Sequence, residues 1–338
     1  PAGMEVPGYP YPAYPTTARG KADNPDKKYP FADGALTTGL REATLSGEPY
    51  PIKGWLIYAT NLMQAMPDRD ATVRAIQNLD LMVVVDVVPS EIAGWADVVL
   101  PESVYLERYD DLNVGWFRRG FTSLRQPVVD APHDQKPAWW MAKELANRLD
   151  LGSYFPWKNI EEYLGYRLEA AGHSLAELKK KGIVFADEQP IYYDEGVPAE
   201  FDTPSGKIEF YSLQLREAGF DPVPRYTAPE EPPPGYFRLL YGRAPVHTFG
   251  RTQSNRILAE MMSENEVWLN AAVAARYGLM SGNRVRLKNQ DGVVSDPVLV
   301  KVTERIRGDC VYMVHGFGQA AKGLKNAYRR GASDAQLV

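Results

Sequence analysis

The stretch Gly242-Arg243-Ala244-Pro245-Val246-His247-Thr248-Phe249-Gly250-Arg251-Thr252-Gln253-Ser254-Asn255 is the richest polar loop of this sequence. Each of its two arginines can grip a phosphate through two parallel N–H donors. His247, Thr248, Thr252 and Asn255 add groups able to fix a base, a ribose or a ring edge. Gly242 and Gly250 let a ligand approach the backbone closely. Together these residue types suit an anionic, nucleotide-like molecule. The plain alternative is a solvated loop.

Two other places carry the same kind of chemistry. His315-Gly316-Phe317-Gly318 ends the apolar run VYMV and resembles the start of a dinucleotide fingerprint. Gln319-Ala320-Ala321 stand where the third glycine belongs, and the sequence ends before a βαβ unit could close, so a nicotinamide dehydrogenase is the weakest reading. Asn61 (with Leu62), Asp86 and Pro101 lie at the ends of three apolar runs. Ligands of parallel sheets bind beyond strand C-termini, where an amide or carboxylate can bond ribose hydroxyls or a purine amine. A helix cap or a turn is the alternative for Asn61 and Asp86.

Other reactive chemistry is sparse. No HExxH, GxSxG or P-loop motif occurs, and His133 and His173 have no partner nearby in sequence. Glu102, Glu107, Asp110 and Asp111 cluster after a strand end, as solvated acidic loops do. The one cysteine, Cys310, permits no disulfide within the chain and no cysteine-rich metal site. No metal ligand is expected from this chain.

The elements that would position these loops read as α/β. GWLIY, LMVVVD and DVVLP are apolar runs separated by the helical pattern Val73, Ile76, Leu79 and by a short helix with Ser90 placed to cap it. The order predicts a parallel sheet buried on both faces, with right-handed crossovers. Residues 135–185 predict helices, the first with Trp139, Leu145 and Leu149 on related faces. Pro232-Pro233-Pro234 mark a stiff linker. Beyond it FRLLYG, EVWLN, NRVRLKNQDGVV, PVLVKVT and DCVYMVHG are short strands with a hairpin signal at Gln290-Asp291-Gly292, which suggests a small barrel. The expected domains are an irregular segment over 1–52 that drapes over a neighbour, a Rossmann-like part over 53–112, a helical α/β segment over 113–235, and a barrel over 236–338.

The 338 residues are 44% hydrophobic and 24% charged, a globular composition long enough for about two domains. A net charge of −5 gives no general case for nucleic-acid binding. No apolar run reaches the roughly 18 residues of a membrane span. The beginning Pro1-Ala2-Gly3-Met4 and the end Gln336-Leu337-Val338 read as the limits of a piece of a larger subunit.

Five segments taken in order carry a family resemblance: ADVVLPESVYLE (96–107), FDTPSGKIEFYS (201–212), GRAPVHTFGRTQSN (242–255), VWLNAAVAARYGLMSGNRVRLKNQDG (267–292) and GDCVYMVHGFGQ (308–319). Through them the chain resembles the C-terminal half of the dimethyl-sulfoxide-reductase-type molybdopterin oxidoreductases. LERYDDL and LRQPVV are most similar to the polysulfide and thiosulfate reductase branch, with arsenate and tetrathionate reductases as near relatives.

The resemblance implies a six-stranded-type barrel as the molybdopterin dinucleotide-binding domain. It implies a bis-molybdopterin guanine dinucleotide cofactor with molybdenum or tungsten. Asn61, Leu62, Asp86 and Pro101 match guanosine-side contacts. Gly242, Arg243, His247, Thr248, Arg251, Thr252 and Asn255 match the barrel loop at pterin and phosphate, and His315, Gly316 and Gly318 match a glycine turn near the cofactor. A 4Fe-4S cluster and the protein ligand to the metal are expected in the missing N-terminal half, so this chain alone is expected to be inactive. The implied partners are the remainder of the catalytic subunit, an iron–sulfur electron-transfer subunit, a quinone-reactive membrane anchor and a small sulfur compound, at the periplasmic face of the bacterial cytoplasmic membrane. A cofactor-free structural relative in a respiratory complex is the competing reading. The polar residues of loop 242–255 weigh against it.

Overall fold

The computed structural model describes residues 22, 31, 36–115, 119–186, 196–199 and 201–338. Among these, residues of 18–100 together with 228–338 make one compact unit, and those of 101–227 make a second.

The first unit opens with α1 (Thr37–Ser46), closed by Gly47 at φ 77°, whose N–H donates to Ala43 O. Residues 37–46 were expected to lack regular structure, and their helix is a correction. Its anchor is long-range: Arg41 is buried and donates to Pro67 O at 2.5 Å and Asp68 O at 3.2 Å. The rest of the segment 1–35 lies outside the described residues, except 22 and 31.

Strand β1 (Gly54–Tyr58) leads through α2 (Leu62–Ala65) and α3 (Arg69–Gln77) to β2 (Leu81–Asp86). Strands β1 and β2 pair in parallel, Trp55 beside Met82 and Ile57 beside Val84. Asp68 caps α3 by accepting from Ala71 N. A 3-10 turn over Ile92–Trp95 then leads to β3 (Val98–Pro101), and the sheet order is β1-β2-β3.

Two local expectations change here. Ser90 does not cap the turn; its hydroxyl donates to Asp86 Oδ2 at 2.7 Å. Nor are both sheet faces buried. Trp55, Ile57, Met82 and Val84 face a core with Met63, Ile76 and Ile92, whereas Leu56, Tyr58, Leu81, Val98 and Val99 are exposed. An apolar run fits a strand covered on two sides, but cannot say whether the second covering layer belongs to the same stretch of chain.

The second unit joins β4 (Asn113–Gly115) and β5 (Phe121–Ser123), then α4 (Ala138–Arg148), α5 (Ile160–Ala170), α6 (Leu175–Lys181), β6 (Ile183–Phe185) and α7 (Leu213–Glu217). Strand β5 pairs antiparallel with both β4 and β6. Leu112, Leu124, Tyr163, Leu164, Leu168, Leu178 and Val184 form its core. In α4 the buried residues are Met141 and Ala146, while Leu145 and Leu149, read as lying on related faces with Trp139, are exposed.

Residues 228–338 return to the first unit with β7 (Arg238–Gly242), α8 (Arg256–Met261), β8 (Glu266–Leu269), α9 (Ala271–Arg276), β9 (Arg284–Val285), β10 (Val298–Val302) and β11 (Cys310–Val314). The sheet is mixed, in the order β7-β11-β8-β10-β9. Five strands are therefore named, and a Lys288–Val294 bridge extends the predicted hairpin around Gly292 at φ 87°. Val267, Val298, Val300, Val311 and Met313 pack inside, and Cys310 is buried with its thiol pushed up chiefly by that burial. Among the described residues no helix is long and apolar enough to cross a membrane.

Candidate functional site

Strands β7 and β11 run parallel and end side by side, Gly242 opposite Val314, with His315 N donating to Gly242 O at 2.9 Å. The two predicted loops thus leave the sheet at one edge. There a cavity of about 400 Å³ is lined by Gln64 and Met66 from α2 and its end, Tyr241 from β7, Arg243 just beyond it, Phe249, His315 and Asp334.

His315 lines the cavity. Its Nδ1 lies 2.8 Å from Asp334 Oδ2, and Phe249 stands edge-on to its ring at 5.5 Å. The Asp334 hydrogen bond raises the His315 pKa above the usual 6.5, while burial opposes it. Asp334 is buried, and its second oxygen, Oδ1, has no partner among the described residues. A buried acceptor without a donor costs stability unless something supplies one. The Arg243 guanidinium lies 4.6 Å over the Phe249 ring at the exposed rim.

Other predicted residues serve the protein itself. His247 is buried, with Nε2 2.7 Å from Met262 O and Nδ1 3.3 Å from Thr252 Oγ1. Thr252 Oγ1 also accepts from Thr248 N at 2.9 Å, and Asn255 caps α8 by accepting from Leu258 N. The side chains of His247, Thr252 and Asn255, expected to face a ligand, make these bonds within the loop. Arg251 is exposed on the same loop. The close approach at Gly316 and Gly318 is likewise internal. At φ 94° and 75°, an added Cβ would meet Gly250 N at 2.5 Å and the Ser333 amide, respectively. No helix follows Gly318 among the described residues, which leaves the dinucleotide fingerprint without its phosphate-binding helix.

On the α2 side, Asn61 Nδ2 donates to Glu91 Oε2 at 3.3 Å, and its Oδ1 is buried without a partner among the described residues. Leu62 is a core residue. Asp86 accepts from Val87 N, Val88 N and Ser90 Oγ, the turn reading of that residue. Pro101 opens the second unit, its carbonyl accepting from Lys136 N.

The residues that sequence reasoning missed are the buried polar ones. Glu91 accepts from Gln64 Nε2 at 2.9 Å and from Ala320 N, and lies 3.7 Å from Arg69. Gln64 Oε1 in turn accepts from Ser333 Oγ at 3.2 Å. Gln319 donates to Gly250 O at 2.8 Å. Lone Glu and Gln residues carry no local signal; only the distant strand ends they join reveal them. A larger hollow of about 760 Å³ lies under the proline linker, but its arginines are engaged, Arg238 with Glu230 O and Arg286 with Ser295 O. No group of three or more metal-ligating side chains occurs among the described residues.

This arrangement can hold a polar, partly aromatic ring between Arg243, Phe249, His315 and Asp334. Residues 27–148 match the molybdopterin oxidoreductase family and residues 237–337 the molydopterin dinucleotide binding domain. The thiosulfate reductase molybdopterin-containing subunit PhsA of Salmonella typhimurium is 34% identical over 93% of this chain and 44% of its own length. Acetylene hydratase of Syntrophotalea acetylenica is 33% identical over 58% of the chain and 26% of its own length. The solved acetylene hydratase from Pelobacter acetylenicus superposes with a TM-score of 0.73 at 26% identity, covering 89% of this chain and 43% of that one. The chain thus spans less than half the length of these relatives. It belongs to the molybdopterin oxidoreductases of the dimethyl sulfoxide reductase family.

Proposed function

We propose that this chain is the C-terminal, cofactor-holding part of a catalytic subunit that reduces thiosulfate or polysulfide, with the cavity at His315 taking the pterin end of a molybdopterin guanine dinucleotide. The family's two domains imply a molybdopterin cofactor with molybdenum. One observation carries the placement: His315 and Asp334 line a cavity of about 400 Å³, and the buried Asp334 Oδ1 has no donor among the described residues. A pterin presents ring and amino N–H donors to such an acceptor, and that volume suits a ring system rather than a whole dinucleotide.

In this reading His315 donates its Nδ1–H to Asp334, and its Nε2 offers an N–H donor when the ring is charged, which the raised pKa favours, and an acceptor when it is neutral. Arg243 lies at the mouth, where it can meet an anionic group. Arg251 is assigned to a cofactor phosphate. Asn61 Oδ1, buried and unpaired among the described residues, is the acceptor proposed for the guanosine side. When bound, the metal held by soft dithiolene sulfurs supplies two-electron chemistry. The protein groups here bind, orient and exclude water.

The substrate assignment rests on the likeness to the thiosulfate reductase subunit and on LERYDDL and LRQPVV. With it go the proposed 4Fe-4S cluster in the rest of the subunit, an iron–sulfur partner, a quinone-reactive membrane partner and a periplasmic location. The test is molybdenum and tungsten content, with guanosine monophosphate released on hydrolysis, in the full-length subunit purified with its native partners. About one metal and two nucleotides per subunit is the expected result, and thiosulfate and polysulfide assays follow.

One observation favours a cofactor-free scaffold instead. His247, Thr252 and Asn255 are engaged within the loop, so their presence needs no ligand. Absence of metal and nucleotide from a folded, complete assembly would decide for it.

A further inference from the structure

The Glu91 carboxylate is buried, its side chain 2% exposed, and N–H donors meet both of its oxygens. Oε2 accepts from Asn61 Nδ2 at 3.3 Å and from Gln64 Nε2 at 2.9 Å. Oε1 accepts from Ala320 N and lies 3.7 Å from the Arg69 guanidinium. A carboxylate only accepts, so the Asn61 and Gln64 amides each turn their NH2 toward Glu91 and their carbonyl oxygen away. Gln64 Oε1 finds the Ser333 hydroxyl at 3.2 Å. Asn61 Oδ1 is buried and finds no partner among the described residues.

Asn61 stands just before α2, where an asparagine side chain ordinarily accepts from an N–H of the first turn. Asn159, Asn255 and Asn270 do so, from the amides of Glu162, Leu258 and Ala272. Asn61 makes no such bond. Its amide is held toward Glu91 instead, and a buried acceptor left bare costs stability unless a ligand brings a donor. Guanine carries two adjacent donors, its ring N–H and its amino group, on one edge.

We propose, resting on the cofactor reading given above, that Glu91 is a positioning residue that fixes the polarity of Asn61. Its carboxylate holds the amide nitrogen and so keeps Oδ1 turned out as an acceptor for the guanine edge, while Glu91 itself touches no part of the cofactor. The same carboxylate holds Gln64, which lines the cavity, and the Ala320 amide beyond the glycine turn. The guanosine and pterin ends thus share one buried anchor.

A glutamine in place of Glu91 has one oxygen for these donors. The Ala320 N–H belongs to the backbone and cannot turn over, whereas side-chain amides can. In Glu91→Gln the new NH2 therefore faces Asn61 and Gln64, and both amides reverse. Gln64 loses little, because the Ser333 hydroxyl accepts as well as donates. Asn61 then presents its own NH2 to the donors of the base, and donor meets donor.

The test measures how fast the full-length subunit, in its native complex, releases guanosine nucleotide on dialysis well below its melting temperature. Glu91→Gln should release it roughly tenfold faster than the wild type, the effect of about one hydrogen bond. Ile76→Ala, in the apolar core of the same unit, should lower the melting temperature at least as far and leave release within about twofold of the wild type. The deciding variant is Glu91→Gln/Asn61→Asp, which exchanges acid and amide. A carboxylate at position 61 accepts from the new NH2 with one oxygen and offers the other to the base, so release should return to within about threefold of the wild type. A buried acid that serves stability alone predicts no such recovery. Release from Glu91→Gln no faster than from Ile76→Ala, or no recovery in the exchanged pair, overturns the role of Glu91. Should the exchanged pair fail to assemble, Asn61→Ala should release nucleotide at least as fast as Glu91→Gln, and a wild-type rate there overturns the role equally. A wild-type complex that holds no guanosine nucleotide sinks the cofactor reading and the role of Glu91 together. Nucleotide present in the wild type, with release indifferent to Glu91, sinks only the latter.

Discussion

His315 Nδ1 and Asp334 Oδ2 lie 2.8 Å apart across 19 residues of chain, and they close loop 316–333 at the cavity. Asp334 holds the imidazolium pKa above the usual 6.5 against the opposing effect of burial. A raised folded-state pKa contributes stability that is full below the unfolded value and fades as pH climbs through the folded value. Asp334→Asn in the full-length subunit should therefore lower the melting temperature more at about pH 5.5 than at about pH 9. Thermal melts of both proteins across that range check it, and a deficit that grows with pH would contradict the pairing.

Gly316→Ala and Gly318→Ala should each destabilise the fold. Both positions have positive φ, and a Cβ would meet Gly250 N and Phe249 C at one, Ser333 N and Ala332 C at the other. The backbone conformation alone costs about 1–3 kcal/mol, and the contacts are with backbone, which cannot swing aside. Gly172→Ala is the control, since it shares a positive φ of 76° but meets nothing within 4 Å. Denaturant unfolding should rank both cavity-side variants well below it.

Glu91→Ala should be among the most damaging single changes in the unit. It strips the acceptor from Asn61, Gln64 and the Ala320 amide and leaves Arg69 without its carboxylate. Breaking a buried charge network of this kind costs about 3 kcal/mol or more. Glu91→Gln keeps the shape and one acceptor oxygen, and should cost about 1–2 kcal/mol. Unfolding free energies of the two variants give the comparison.

Arg243→Ala and His247→Ala should separate binding from stability. Arg243 is exposed over Phe249, so its removal should change stability by about 0.5 kcal/mol or less and lower molybdenum retention. His247 is buried with both ring nitrogens engaged, so its removal should cost about 2–3 kcal/mol. Arg251→Ala should behave as Arg243→Ala does. Metal content measured beside melting temperature tests all three, and unchanged occupancy in both arginine variants would argue against the placement of the loop.

Local patterns carried much of the architecture. Continuous apolar runs at 54–58 and 81–86 sufficed for a parallel β1–β2 pair, because side chains on a strand need only the right chemistry to join a core. The turn at Gly292 was likewise readable, since it is settled within a few residues. The loops worth watching at 61, 242–255 and 315–318 followed from where strands end.

The sequence by itself could not assign work within those loops. A His, Thr or Asn can serve a ligand or its own chain, and the choice depends on what lies across space. His247 meets Met262 O, Asn255 meets Leu258 N, and His315 alone of the predicted side chains pairs with a carboxylate in the cavity. Glu91 and Ala320 are 229 residues apart, and no periodicity in sequence links them. Helix α1 and the uncovered face of β1 and β2 were missed for the same reason. Propensity and pattern act over a few residues, whereas burial, an orphaned oxygen and a raised pKa arise only when distant segments share one place.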